Sequence, residues 1–221
     1  MSGVASLEMP ATVKHLVFDF AGVVFSWQPR ALLQRVIPQH ATDEASARHW
    51  SGQIFEDYGG DWADFDRGTV SPDDLVVRIA RRTGLAEAHA RAVVQAVPLA
   101  FQPIAGTVDL LQRLRRPGRP LFFLSNMPAP YADYLDRHYP VAQWFGDGVY
   151  SGRVQLIKPE PAMFALAASR FGVAPADLVF FDDVAGNVAA AQTAGWSAFL
   201  FTGAARAERD LRQAGWWPDP G

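Results

Sequence analysis

Phe18-Asp19-Phe20-Ala21-Gly22-Val23-Val24 closes a short apolar run that begins at His15. Such a run, bounded by polar or turn residues, reads as a buried strand. An aspartate just past it puts a carboxylate at the edge of whatever sheet the strand joins. Three further runs have the same form: Leu121 to Leu124, Leu178 to Phe181 and Ala198 to Phe201. The second run is followed by Ser125-Asn126 and the third by Asp182-Asp183. Helical spacing marks Thr107 to Arg116, Pro161 to Phe171 and Asn187 to Ala194, the last two closed by Gly172 and Gly195. Strand and helix alternate, which predicts an α/β fold: a doubly wound, mostly parallel, Rossmann-like sheet with helices on both faces.

The first connection is too long for one crossover helix. About a hundred residues separate the first two runs, and most carry helical periodicity: Leu32 to Ile37, Asp43 to Phe55, Pro72 to Arg82 and Glu87 to Phe101, with Ser71-Pro72 as an N-cap and first-turn pair. The reading is a core of residues 1–28 and 102–221 with a helical cap subdomain over 29–101. In a doubly wound fold an insertion at this point sits over the carboxyl ends of the strands, where ligands bind. A hairpin is expected at Gly148 to Val154, and peripheral ends at Met1 to Ala11 and Trp216 to Gly221.

Composition narrows the function classes. The chain has 221 residues, 20 cationic and 23 acidic side chains, a formal net charge of -3 and no cysteine. Disulfides, thiolate-ligated metal and a cysteine nucleophile are therefore excluded. The cations lie in helix-like segments with no basic block, which argues against a nucleic-acid partner. No apolar run approaches the ~20 residues of a membrane span and Met1 to Val13 does not resemble a secretory leader, so neither membrane nor export is expected and a cytoplasmic protein is. A homodimer is the base-rate expectation for assembly. The five histidines, at 15, 40, 49, 89 and 138, lack metal-ligand spacing. Only two of the 20 cations are lysines: Lys14, read as a solvated residue before the first strand, and Lys158, within Ile157-Lys158-Pro159-Glu160-Pro161.

Three acids, a hydroxyl and a lysine thus converge on one sheet edge. Singly each has an ordinary reading: a helix N-terminus for Asp183, a turn for Ser125-Asn126, a surface lysine for Lys158. Together, in this order and with the insertion after the first, they resemble the four motifs of the haloacid dehalogenase-like hydrolase superfamily. The helical insertion also resembles that of sugar-phosphate phosphatase and epoxide hydrolase N-terminal-domain types. The resemblance implies Asp19 as nucleophile, a magnesium ion held by Asp19, Asp183 and the Ala21 carbonyl, and Asp182 as a further ligand or a residue behind one. It implies that Ser125 donates to a phosphoryl oxygen and that the backbone amides around Phe20 and Asn126 complete the cradle. Lys158 would balance charge between acids and phosphate. Trp27 and Trp62 are the aromatic candidates for substrate contact. The implied substrate is a small phosphorylated metabolite.

The chain departs from the phosphatase pattern at Ala21, where an acid usually protonates the leaving oxygen. Removing such a group lowers rates by about 10² to 10⁴. Asp64-Phe65-Asp66-Arg67-Gly68-Thr69-Val70-Ser71 is similar to the insertion segment of bacterial sugar-phosphate phosphatase types that also carry a small residue there. Two rival readings accommodate Ala21: a 2-haloacid dehalogenase using the same Asp19 without metal, and a non-catalytic scaffold for a phospho-ligand or a protein partner. Intact Asp182-Asp183 argues against the first. Retention of the whole acidic cluster argues against the second.

Overall fold

The computed structural model describes residues 14–217 of the chain. Five strands form one sheet: β1 (His15–Phe18), β2 (Phe122–Ser125), β3 (Asp147–Tyr150), β4 (Leu178–Asp182) and β5 (Ser197–Leu200), in the order β3-β2-β1-β4-β5 with every neighbouring pair parallel. The first strand lies at the centre. The chain leaves it to one side for β2 and β3, then crosses to the other for β4 and β5, so the winding reverses around β1. This reversal opens a crevice at the carboxyl ends of β2, β1 and β4, where Ser125, Asp19 and the Asp182-Asp183 pair are found.

Strand side chains alternate between two cores. Leu16, Phe18, Val179, Phe181 and Phe123 face one side. Val17, Phe122, Leu124, Leu178 and Phe180 face the other. On the first side lie α6 (Ala105–Leu114), α7 (Ala129–His138), the short α8 (Val141–Trp144) and α12 (Ala204–Gln213). On the second lie α10 (Pro161–Phe171) and α11 (Ala185–Thr193). Burial on both faces explains why the strands read as continuous apolar runs.

Between β1 and α6 come α1 (Pro29–Val36), α2 (Glu44–Phe55), a 3₁₀ turn (Glu56–Tyr58), α3 (Gly60–Arg67), α4 (Pro72–Thr83) and α5 (Glu87–Ala100). Their ends obey local rules. Asp43 and Ser46 form a reciprocal capping box on α2, and Ser71 accepts the Asp74 amide at 3.1 Å in front of Pro72. The entry and exit of this insertion are strapped together. Ser26 N donates to Gln102 O and Ile104 N donates to Val24 O, each at 2.8 Å. No described helix is long and apolar enough to cross a membrane.

Several expectations need correction. The hairpin at Gly148 to Val154 is instead a parallel strand, β3, followed by a one-turn helix α9 (Ser151–Val154). Gly148 is there for packing rather than turning, because a Cβ would come within 2.1 Å of the Phe123 ring. Helices α3 and α7 were not foreseen: α3 is short and rich in acids, and the aromatic and proline content of α7 hides its period. The last strand starts one residue earlier than its apolar run, at Ser197. Lys14 is not a freely solvated lysine, since its Nζ donates to Ala176 O at 2.5 Å and lies over the Trp216 ring. Trp216 packs on Phe199, whereas Met1 to Ala11 and the last four residues lie outside the described range.

Candidate active site

Asp19 is held where β1 ends. Its amide donates to Phe181 O on β4 at 2.9 Å, continuing the sheet pairing one residue past the strand, and its side chain is nearly buried. The chain then turns tightly: the Phe20 carbonyl accepts the amides of Val23, Val24 and Phe25. Gly22 is required here twice over. Its φ is +80°, and a Cβ would lie 2.1 Å from Asp183 Oδ2. The Asp183 carboxylate therefore rests directly on this turn, beside Asp19.

Lys158 enters the same edge from the loop before α10. It is 3% exposed, and its Nζ lies 2.8 Å from Asp19 Oδ1 and 2.6 Å from Asp182 Oδ2, above the Phe180 ring. Burial works against the ammonium, but the Asp182 and Asp19 charges and hydrogen bonds outweigh it and raise its pKa. The Asn126 side chain fixes this loop, and the residue also lines the cavity. Its Nδ2 donates to Lys158 O at 2.9 Å and its Oδ1 accepts Lys158 N at 2.8 Å.

The two adjacent acids divide their work. Asp182 is fully buried; Oδ1 accepts from Val184 N and Asn187 Nδ2, and Oδ2 accepts from Lys158 Nζ and Asn187 Nδ2. A carboxylate has about four lone-pair positions, and here protein donors take them all. Of the two roles expected for Asp182, direct metal ligand and residue behind one, the geometry fits the second. Asp183 is exposed, and among the described residues only its own backbone amide donates to its carboxylate. Burial, then the Asp182 charge, raises its pKa, with Lys158 opposing.

Ser125, at the end of β2, is fully buried, and its Oγ has no hydrogen-bond partner. A buried orphan hydroxyl is costly unless something completes it. Phe20 is placed differently from the other candidates. Its ring packs among Phe25, Phe123, Phe145 and Tyr150 in the core, so only its backbone can meet a ligand.

A cavity of about 240 Å³ stands over these groups, lined by Asp19, Ala21, Asp183 and Lys158 below and by Trp27 and Trp62 above. Both tryptophans therefore line the cavity. Trp27 Nε1 donates to the Tyr58 hydroxyl at 2.6 Å. Glu56, Asp57 and Tyr58 have positive φ values of 50°, 50° and 64°, a run that non-glycine residues seldom adopt. The strain is braced by the Glu56 carboxylate, which accepts the Asp61 amide and pairs with Arg82.

The sequence reading assigned no role to Asp66, which also lines the cavity. It is 7% exposed, and its carboxyl has no hydrogen-bond partner among the described residues. Burial and then the Asp19 charge push it up to about 8, with Lys158 opposing. Two ties between α3 and the core fix its position. Ser151 Oγ donates to Asp66 O at 2.5 Å, and Arg67 makes a two-pronged pair with Glu160 at 2.5 and 2.9 Å. A signal for Asp66 was present. Trp62, Phe65 and Asp66 stand at positions i, i+3 and i+4 of α3, so an acid occupies its apolar stripe.

A family model described as haloacid dehalogenase-like hydrolase matches residues 13–195. A sesquiterpene phosphatase of Aspergillus oryzae is 26% identical over 208 residues, covering 93% of this chain and 98% of the relative. A phosphoglycolate phosphatase of Escherichia coli is 31% identical over 124 residues, covering 56% of this chain and 47% of that relative's length. The magnesium complex of an HAD family enzyme from Bacteroides thetaiotaomicron has a TM-score of 0.67 at 20% identity, covering 86% of this chain and 94% of that one. An L-2-haloacid dehalogenase has a TM-score of 0.68 at 21% identity, covering 87% of each chain. The two structural likenesses speak for the fold, which phosphatases and dehalogenases share. On the span of the matching family model, and with the acids, hydroxyl and lysine gathered at one sheet edge, the chain belongs to the haloacid dehalogenase-like hydrolases.

Proposed function

We propose that this hydrolase is a magnesium-dependent phosphatase of small phosphate monoesters, acting through a phospho-aspartate on Asp19. One observation carries the reading: Asp19 and Asp183 offer carboxylate oxygens within 4.8 Å of one another at the cavity floor, while Asp182 behind them is consumed by protein donors. Two adjacent open carboxylates call for a cation. The donor set suits a hard one, since the Ala21 carbonyl at the same place accepts no backbone hydrogen bond among the described residues and every candidate ligand is an oxygen. When bound, magnesium would offset the repulsion between Asp19 and a phosphoryl anion.

The chain's own groups supply the rest. Ser125 Oγ completes its hydrogen bonding by donating to a phosphoryl oxygen. Burial raises the Asp19 pKa to about 7, and Lys158 opposes that rise and favours the carboxylate that attacks phosphorus. As the bond from Asp19 to phosphorus forms, the bond from phosphorus to the alcohol oxygen breaks, and Asp66 gives that oxygen its proton. Water then attacks the phospho-aspartate and passes a proton back to Asp66; phosphate leaves and Asp19 is restored. Asp66 thus takes the role left vacant by Ala21, from the helical insertion, which serves as a cap that excludes water.

The names of the phosphatase relatives support this reading. A dehalogenase would need a cation for its substrate carboxylate, and Lys158, the only cationic side chain on the cavity among the described residues, is already shared by Asp19 and Asp182. The deciding experiment assays an aryl phosphate and a 2-haloacid, each with magnesium and with chelator. Phosphate release that chelator abolishes is expected. Halide release insensitive to chelator would establish the dehalogenase instead, and no turnover of either with retained ligand binding would leave a scaffold.

A further inference from the structure

The cavity wall has an unusual chemistry for a protein with 18 arginines. None of them lines it. Arg67 and Arg82, on the neighbouring elements, are paired with Glu160 and with Glu56 and Asp61. The charged side chains that do face the space, beyond the floor, are the acids Asp57 and Asp66. The remaining wall is built largely from Trp27, Trp62, Val97, Phe101, Met127 and Tyr131.

Four of its hydrogen-bond donors are committed elsewhere, leaving the Trp62 indole and the Tyr58 hydroxyl. The Asn126 amide is on the Lys158 backbone, the Asn187 amide on Asp182, the Trp27 indole on Tyr58, and the Tyr131 hydroxyl on Val94 O at 2.6 Å. Apolar character continues to the rim. Tyr58 and Val184, two of the five large hydrophobics exposed among the described residues, both stand on this cavity.

We propose that the cavity selects phosphate monoesters of an uncharged, mainly apolar alcohol, a hydrocarbon chain or ring, over esters whose alcohol bears a second anion or several hydroxyls. The inference rests on the phosphatase reading and sharpens it. A carboxylate or second phosphate in the wall would meet two acids and no free cation, a burial that is unfavourable without a partner. A sugar would place several hydroxyls against a largely apolar wall with few free donors. An apolar pocket discriminates against added hydroxyls more gently, by about 10² per substitution in well-studied cases.

The test compares kcat/KM with magnesium for n-hexyl phosphate, phenyl phosphate, phosphoglycolate and glucose 6-phosphate. The first two should exceed each of the last two by about 10² or more. Phosphoglycolate or glucose 6-phosphate turned over within tenfold of hexyl phosphate would overturn the inference and leave the phosphatase reading standing. If none of the four is hydrolysed, the phosphatase reading fails, and binding decides this inference separately. Quenching of tryptophan fluorescence in Asp19→Asn should then be tighter for hexyl phosphate than for phosphoglycolate, and equal or reversed affinities overturn it. A second variant adds the missing cation at a rim position that tolerates it. Val184→Arg should shift the ratio toward phosphoglycolate by tenfold or more, and an unmoved ratio would refute the charge argument.

Discussion

Asn126 grips Lys158 by the backbone, its carboxamide matching the lysine's own N–H and C=O at 2.8 and 2.9 Å. This two-bond clasp joins the end of β2 to the loop before α10 and sets the height from which the ammonium reaches Asp19. Asn126→Ala should lower kcat of phosphatase turnover by about 10²-fold through displaced positioning, and lower stability by about 1 to 3 kcal/mol. Steady-state kinetics with an aryl phosphate and a thermal melt measure both. Unchanged kcat would mean that Lys158 needs no such guide.

Lys158 itself is sandwiched between two buried carboxylates. Lys158→Met leaves both acids unpaired and should destabilise the fold by about 3 to 5 kcal/mol. Lys158→Arg keeps the charge, yet a planar fork cannot reproduce one nitrogen shared between Asp19 and Asp182, so activity should fall even where the protein folds. A fully active arginine variant would remove Lys158 from the proposed machinery.

Asp66 can be separated from a structural role by its choice of substrate. Asp66→Asn keeps shape and should slow alkyl phosphates by about 10² to 10⁴, with a much smaller loss for aryl phosphates whose leaving oxygen needs no proton. Adding Ala21→Asp to it should restore alkyl turnover in part. Equal losses on both substrates, or no rescue, would point to packing alone.

Gly22 carries the floor of the site. Gly22→Ala places a methyl where Asp183 Oδ2 lies and forces a left-handed residue, at about 1 to 2 kcal/mol for the backbone. Magnesium affinity, read by calorimetry, should weaken as Asp183 is pushed aside, whereas Gly186→Ala, with open space around its position, should leave it unchanged.

The Arg67–Glu160 pair couples the insertion to the core and gives a pH signature. The hydrogen bond from Arg67, ahead of the opposing effect of burial, holds Glu160 below its ordinary value. A lowered folded pKa contributes stability above the unfolded value of about 4.3, and this contribution disappears as pH falls through the folded value. The melting temperature should therefore drop on acidification below that range, and Glu160→Gln should flatten this part of the profile. An identical acid slope in the variant would assign the loss to other carboxylates.

Local chemistry made much of this protein legible. Apolar runs bounded by turns located four of the five strands, because a sheet buried on both faces needs continuous hydrophobic strands. The position of Asp19, Ser125, Asp182 and Asp183 at strand ends follows from the same pattern, and caps such as Ser71-Pro72 are written in adjacent residues. Gly148 misled as a turn because its reason is a ring on a neighbouring strand, and a one-dimensional pattern carries no record of that ring.

Division of labour within the site belonged to the tertiary structure. Asp182 and Asp183 are neighbours of the same residue type, and only the arrival of Lys158, Val184 N and Asn187 shows that one is saturated and the other open. The Asn126 carboxamide has its partner on the Lys158 backbone, 32 residues away. Asp66 and Ala21 are separated by about half of the insertion, and the ties at Ser151 and Glu160 bring the acid to the cavity where position 21 lacks one. Sequence sets residue type and local conformation, since these depend on neighbours along the chain; pairing, burial and the pKa values they shift depend on neighbours in space, and the fold alone brings those together.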